Sequence, residues 1–196
     1  KSRPQVHQKE LCTSAGYIQP FMDSPLDDEP VGETVYLNLI NHAQDYVYIT
    51  TPYLIIDNEM VTALRTAAKS GIDVRIITPH VPDKWYVHAV TRAYYEILVE
   101  SGVKIYEYTP GFIHAKTFVV DDAYSVVGTI NLDYRSLYLH FECGTWMYKT
   151  DSVMQMKEDF LKTLEVCEPI TLEMCRRVKW YKKLGRSILR VFAPLM

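Results

Sequence analysis

Long apolar runs are missing from this chain. No stretch approaches the roughly 18 consecutive apolar residues that a spanning helix needs, so no such helix is expected. The first ten residues, KSRPQVHQKE, lack the apolar core of a signal peptide. Cysteine is sparse: Cys12, Cys143, Cys167 and Cys175 show no CxxC spacing. They are expected as reduced thiols that pack like small hydrophobes in a reducing compartment. No His or Cys cluster completes a metal site around Cys167 and Cys175, so no metal is expected. No internal repeat is visible, and no acidic residue occurs in the last 21 positions. A starting methionine is also missing; the chain opens on Lys1, which suggests a piece of something longer.

What is present suits one domain with a terminal appendage. The 196 residues are 48% hydrophobic, enough for a real core and too much for a disordered chain. The formal charge of −3 hides an asymmetry. Residues 176–196 hold seven basic residues, whereas the preceding 175 hold 14 basic and 24 acidic ones, a formal −10. An acidic body disfavours nonspecific nucleic-acid binding, so no nucleic acid is expected as a partner. In the basic tail, Trp180, Tyr181, Leu184, Ile188, Leu189 and Val191 interleave with the cations. That is the profile of an amphipathic helix lying on an anionic membrane surface, or equally of a helix packed on its own domain.

Residues 1–32 read as irregular, with the turn-rich SPLDDEP. From Glu33 the pattern becomes regular. GETVYLNLINHAQ predicts a helix, DYVYITTPYLI a strand, and NEMVTALRTAAKSG a helix with an Asn58 cap and a Gly71 stop. IDVRIITP predicts a strand, Lys84 to Glu100 a helix, and Val103 to Tyr108 a strand. FIHAKTFVV and AYSVVG, separated only by Asp121 and Asp122, predict a hairpin; ECGTWMYK predicts a further strand, with helices from Asp151 onward. Alternating strands and helices predict an α/β fold, with a mixed, largely parallel sheet flanked by helices on both faces. The expected division is 1–32 as an irregular linker segment, 33–166 as the folded α/β domain and 167–196 as the basic amphipathic tail.

The chemistry concentrates between Gly111 and Glu142, in GFIHAKTFVVDDAYSVVGTINLDYRSLYLHFE. On a strand, His114 and Lys116 share one face because they are two apart. Lys offers a fixed positive charge to phosphate oxygens, and His can attack phosphorus or carry a proton near neutral pH. A lone pair of this kind would more often be a half-buried His beside a snorkelling Lys. The neighbours argue otherwise. His114, Lys116 and Asp121 form HxKxxxxD, followed by GTINLDYRS and Glu142. This resembles the phospholipase D superfamily. From about Glu33 onward, the order of TPYLI, SGIDVRIITP, SGVKIYEY, GFIHAKTFVVD, GTINLDYRSLYLHFE and a basic tail is similar to the C-terminal catalytic half of bacterial cardiolipin synthases.

The resemblance implies the following. His114 is one of two active-site histidines, and Lys116 binds phosphoryl oxygens. Thr129 and Asn131 complete the phosphate cradle. Glu142 accepts the Nδ1 proton of a motif histidine. Asp121 completes the signature, although its place at a hairpin turn suggests that it organises the loop. Asp133, Arg135 and Ser136 are expected to build that loop by hydrogen bonds. His140 stands where the family is expected to have Asn. Apart from the resemblance, His7, His42, His80 and His88 are expected as surface or packing residues; His80 and Tyr53, each after a strand, have cleft lining only as the lesser alternative. The implied reaction is phosphatidyl transfer between two phosphatidylglycerol molecules, giving cardiolipin and glycerol through a phosphohistidine, with no cofactor. The implied partners are anionic phospholipid, a membrane surface on the cytoplasmic side, and a second HKD half from upstream or from a homodimer. A phospholipase D-type hydrolase of lipid or nucleic acid, and a noncatalytic membrane-binding module, remain alternatives.

Overall fold

A computed structural model describes residues 15–26 and 29–178, together with Gly185 and Leu189. Most of the expected amphipathic tail therefore lies outside the described residues. The elements run β1 (Tyr17–Asp23), α1 (Val31–His42), β2 (Tyr46–Thr50), β3 (Leu54–Ile55), α2 (Asn58–Lys69), β4 (Asp73–Pro79), α3 (Trp85–Val99) and β5 (Lys104–Tyr108). Then come β6 (Thr117–Val120), β7 (Tyr124–Gly128), β8 (Leu132–Asp133), α4 (Tyr134–Tyr138), β9 (Glu142–Tyr148), α5 (Asp151–Leu164), β10 (Cys167–Ile170) and α6 (Leu172–Arg176).

Eight strands form one sheet in the order β1-β9-β7-β6-β2-β4-β5-β10, and β3 pairs with β8 beside it. The α/β class and the helices on both faces match the expectation. The balance of pairing does not. Only β2–β4 and β4–β5 are parallel in the large sheet, whereas β1–β9, β9–β7, β7–β6, β6–β2 and β5–β10 are antiparallel. The crossover helices α2 and α3 force the parallel pairs, and the tight hairpin after β6 reverses the chain.

β2 is buried along its whole length, and its side chains alternate between two cores. Val47 and Ile49 join Tyr36, Leu39, Met60, Leu64, Val90 and Tyr94 under α1, α2 and α3. Tyr46 and Tyr48 face Val153 and Phe160 of α5. Helix α2 starts as its amphipathic spacing suggests, but the cap is Asp57, whose carboxylate accepts the Met60 N–H.

Two strands lie where irregular chain or tail was expected. β1, within residues 1–32, pairs along β9; β10, at the start of residues 167–196, pairs along β5. Both are edge strands and both contain proline, Pro20 and Pro169. An edge strand tolerates proline because one row of its N–H groups has no neighbour, and proline is what hides such a strand from a sequence reading.

Candidate active site

The hairpin between β6 and β7 sets the register of the site. Asp121 and Asp122 take φ values of 52° and 55°, the left-handed region that short Asp side chains tolerate, and Ala123 N–H closes on Val120 O at 3.0 Å. Asp121 then accepts the backbone N–H groups of Gln44, Asp45 and Tyr46 at 2.7, 3.0 and 2.8 Å. It pins the start of β2 to the turn. It sits at the opposite end of β6 from His114, and the structure therefore leaves this signature residue outside the cluster that carries the chemistry.

At the other end, antiparallel pairing lines up the starts of β6 and β9 with the end of β7. Gly128 N–H donates to Lys116 O at 3.3 Å, and Thr129 N–H donates to Cys143 O at 2.9 Å. Gly128 is required here: a Cβ would stand 2.3 Å from the Cys143 carbonyl oxygen. His114 and Lys116 lie just before β6, which begins at Thr117, and so on the approach to the strand rather than within it. Lys116 and Phe118 are two apart, and Phe118 points into the core under α1, so Lys116 occupies that same face.

Lys116 is 8% exposed, and its ammonium donates to the His114 carbonyl at 2.6 Å. Among the described residues no carboxylate lies within ion-pair distance of it. Burial pushes its pKa below the usual lysine range, against the pull of Glu142 and Asp133. The His114 ring is exposed, and Phe112 flanks it at 5.5 Å between centroids. Its pKa is lowered by desolvation first and by Lys116 second, with Asp83 opposing. A neutral imidazole beside a buried cation is the consequence. Tyr53 lies tilted toward Phe112, with ring centroids 6.4 Å apart, and donates to Asp83 at 2.5 Å.

The support for Glu142 comes from hydroxyls. Thr129 Oγ1 donates to one of its carboxylate oxygens, and Ser136 Oγ donates to the other at 2.6 Å. Ser136 also accepts from the Asn131 backbone N–H at 3.0 Å and from Asn131 Nδ2 at 3.1 Å, while Asn131 Oδ1 is buried without a partner among the described residues. Asp133 caps α4 by accepting Ser136 N–H at 2.8 Å, which aims the serine. Burial, with Glu142 adding to it, raises the Asp133 pKa. The loop is stapled from below: Tyr36 of α1 donates to Ile130 O at 2.9 Å. His114 and Glu142 do not pair with each other, whereas His140 Nδ1 lies 3.8 Å from Glu142 and its Nε2 accepts from Arg135.

The structure thus brings Lys116, Thr129, Asn131 and Glu142 together at one end of the sheet, with His114 at the mouth. Ser136 carries more of the arrangement than its place in the motif suggested, and Phe112 had no sequence signal at all. His80 is elsewhere, hydrogen-bonded to Glu107 at 2.9 Å. Among the described residues no group of three or more His, Cys, Asp or Glu side chains is arranged to hold a metal ion, and no helix is long and apolar enough to cross a membrane.

Comparison with known proteins adds the following. The chain is similar to a cardiolipin synthase of Clostridium perfringens (strain SM101 / Type A), 42% identical over 190 residues, which covers 97% of this chain and 40% of that protein. The chain therefore spans about two fifths of the length of that curated relative. Its fold is similar to that of a phosphatidylserine synthase from Haemophilus influenzae, with a TM-score of 0.70 at 17% identity, covering 92% of this chain and 46% of that one. It is also similar to Nuc, a phospholipase D family member from Salmonella typhimurium, with a TM-score of 0.67 at 16% identity, covering 80% of this chain and 99% of that one. The family model of the cardiolipin synthase PLD-like domain matches residues 36–164, the span that holds every residue of the cluster, and the chain belongs to that family.

Proposed function

We propose that this chain supplies one half of a phosphatidyl-transfer site, which joins two phosphatidylglycerol molecules into cardiolipin and releases glycerol. The observation that carries the reading is Lys116. A buried ammonium with one carbonyl partner and, among the described residues, no carboxylate in pairing distance is costly unless an anion arrives to compensate it. A phosphodiester placed there would take its remaining N–H groups, with the second Nδ2 hydrogen of Asn131 as a further donor in the same cluster, while the Thr129 hydroxyl hydrogen goes to Glu142.

The chemistry proceeds in two displacements. A histidine attacks phosphorus, the bond to the departing glycerol oxygen breaks, and the opposing histidine protonates that oxygen. That second histidine then takes the proton of the incoming lipid hydroxyl as it attacks the phosphohistidine. Dividing the displacement in this way is the advantage of covalent catalysis, and fixed cations stabilise the charge that builds on phosphorus. His114 serves as the acid and base in this scheme. Bound phosphate would offset the Lys116 charge and lift the His114 pKa toward the range where it can donate. The nucleophile comes from a second HKD half. Glu142, held by two hydroxyls and out of reach of His114, is free to face that opposing histidine. Asp121 acts on the fold.

The test is His114→Ala in the full-length protein with phosphatidylglycerol. Cardiolipin formation should vanish; retained turnover would overturn the assignment. Hydrolysis by a symmetric pair of chains is the second reading. It is favoured by the match that covers 99% of Nuc, where a unit of this size makes up the whole chain. Phosphatidic acid as the sole product would select it.

A further inference from the structure

Three helices meet behind the site at a pair of buried carboxyls. Glu33, in the first turn of α1, and Asp57, the cap of α2, are each 8% exposed. Glu33 reaches both Asp57 and the hydroxyl of Tyr138, the last residue of α4. Asp57 accepts the Met60 N–H at 2.8 Å through one oxygen and the Tyr138 hydroxyl at 2.5 Å through the other. Among the described residues no cation lies within ion-pair distance of either carboxyl.

Two carboxylates at hydrogen-bond distance cannot both stay ionised in such a place. The Met60 and Tyr138 hydrogens already go to Asp57, so the contact between the carboxyls needs a hydrogen of its own, and a proton held by the pair supplies it. Burial first, and Asp57 second, push the Glu33 pKa up to about 7, with Tyr138 opposing. Burial also raises Asp57, but hydrogen bonds from Glu33, Tyr138 and Met60 outweigh it and hold that carboxyl below its ordinary range. The surroundings offer little to replace the proton. Glu59 of α2 adds negative charge, and Asp23 at the end of β1 spends its oxygens on the Val31 and Gly32 N–H groups. β6 carries no charged side chain, and β9 brings Glu142, already held by Thr129 and Ser136. Asp23, Glu29 and His140 line a cavity of about 170 Å³ against Tyr138.

What the pair holds is the frame of the site. α4 has five residues, too few to persist as a helix unaided. Asp133 fixes its first turn, and Tyr138 ties its end to Asp57. Between those two points Ser136 aims Glu142 and Asn131. Without the shared proton, two carboxylates would face each other across the single Tyr138 hydrogen, and the tie on α4 would give way.

We propose that Glu33 and Asp57 are positioning residues: the proton they share locks Tyr138, and with it α4, so that Ser136 and Glu142 stay aligned. The lock follows from the cluster; its effect on turnover rests on the phosphatidyl-transfer reading. With the Glu33 value raised, the lock adds stability in full below the ordinary carboxylate value of 4.5 and loses it as pH rises through the folded one. That is opposite in sign to the His114 contribution, and comparing wild type with Glu33→Gln, which keeps a donor to Asp57 at every pH, separates the two.

Two experiments test it. In this chain, the carbon-13 resonance of the Glu33 carboxyl should titrate near neutral pH, and the Ser136 amide should shift with the same midpoint in wild type but not in Glu33→Gln. Asp57→Asn should bring the Glu33 midpoint only part of the way down, because burial is the larger cause. A Glu33 midpoint in the ordinary carboxylate range, or a Ser136 amide that ignores it, would overturn the proposal; the wild-type titration needs no variant to fold. In the full-length protein, cardiolipin formation by wild type relative to Glu33→Gln should fall roughly tenfold between pH 6 and pH 8, while His114 titrates in both and cancels. A ratio that stays flat would sink the lock. A wild-type enzyme that makes no cardiolipin at either pH would sink the transfer reading and leave the titration to judge the lock.

Discussion

Replacing Asp121 separates a residue that holds the fold from one that reacts. Its carboxylate accepts three backbone N–H groups, from Gln44, Asp45 and Tyr46. A hydrogen bond to a charged acceptor contributes roughly 1.5–3 kcal/mol. The three share one carboxylate and are partly wet, so the sum is discounted to about 3 kcal/mol. Asp121→Asn keeps one acceptor oxygen and tolerates a φ of 52°, so it should cost about 1–2 kcal/mol. Asp121→Ala loses every acceptor and adds left-handed strain of about 1 kcal/mol, for a total near 4 kcal/mol. In a chain of this size each kcal/mol moves Tm by about 2–4 °C, so Asn should melt roughly 3–6 °C lower and Ala about 10 °C lower. The assay is thermal unfolding by circular dichroism on the chain, with turnover of the folded full-length protein measured well below both midpoints. Asp121→Asn should retain most of its kcat there. A variant that melts like the wild type yet has lost turnover would refute the structural assignment and return Asp121 to the chemistry.

Three more outcomes follow from the site. The His114 ring should titrate below the ordinary histidine value of about 6.5, as read by NMR, and Lys116→Met should move it only part of the way back, because burial is the larger cause. Since its folded pKa is depressed, His114 contributes stability above the unfolded pKa that is lost as pH falls through the folded one; urea midpoints across pH 7 to 5 should show that sign. Ser136→Ala leaves the Asn131 N–H and the Glu142 carboxylate without their buried partner, and should cost about 2–3 kcal/mol in urea unfolding. Gly128→Ala should destabilise more than Gly144→Ala, by urea midpoint. The first forces a methyl against a backbone carbonyl at 2.3 Å and should cost about 3 kcal/mol, whereas the second meets the Phe21 ring, which can turn aside.

Much of this was legible in the chain. The helices at Val31, Asn58, Trp85 and Asp151 follow from apolar periodicity, and β2, β4, β5, β6, β7 and β9 from β-branched runs between turn residues. β1 and β10 were not legible, because Pro20 and Pro169 break the strand signature at positions where only an edge can use them. The sheet's antiparallel majority was also hidden. Local pattern says that a strand exists, whereas pairing direction depends on which distant strand it meets.

His114 and Lys116 stood out by residue type and spacing, whereas Thr129, Asn131 and Glu142 were marked only by the resemblance to the phospholipase D superfamily. Their order in the sequence could not say which of them touch. Only the tertiary structure puts Glu142 on Thr129 and Ser136 rather than on His114, because β9 and β7 are neighbours and His114 lies on the approach to β6. It also moves Asp121 to the far end of the hairpin, where a carboxylate can collect backbone N–H groups from a strand 75 residues away. And it gathers His80 and Arg92 from separate parts of the chain around the one buried carboxylate of Glu107. No local pattern marks that group, because its reason for being together is the desolvation of a single carboxylate.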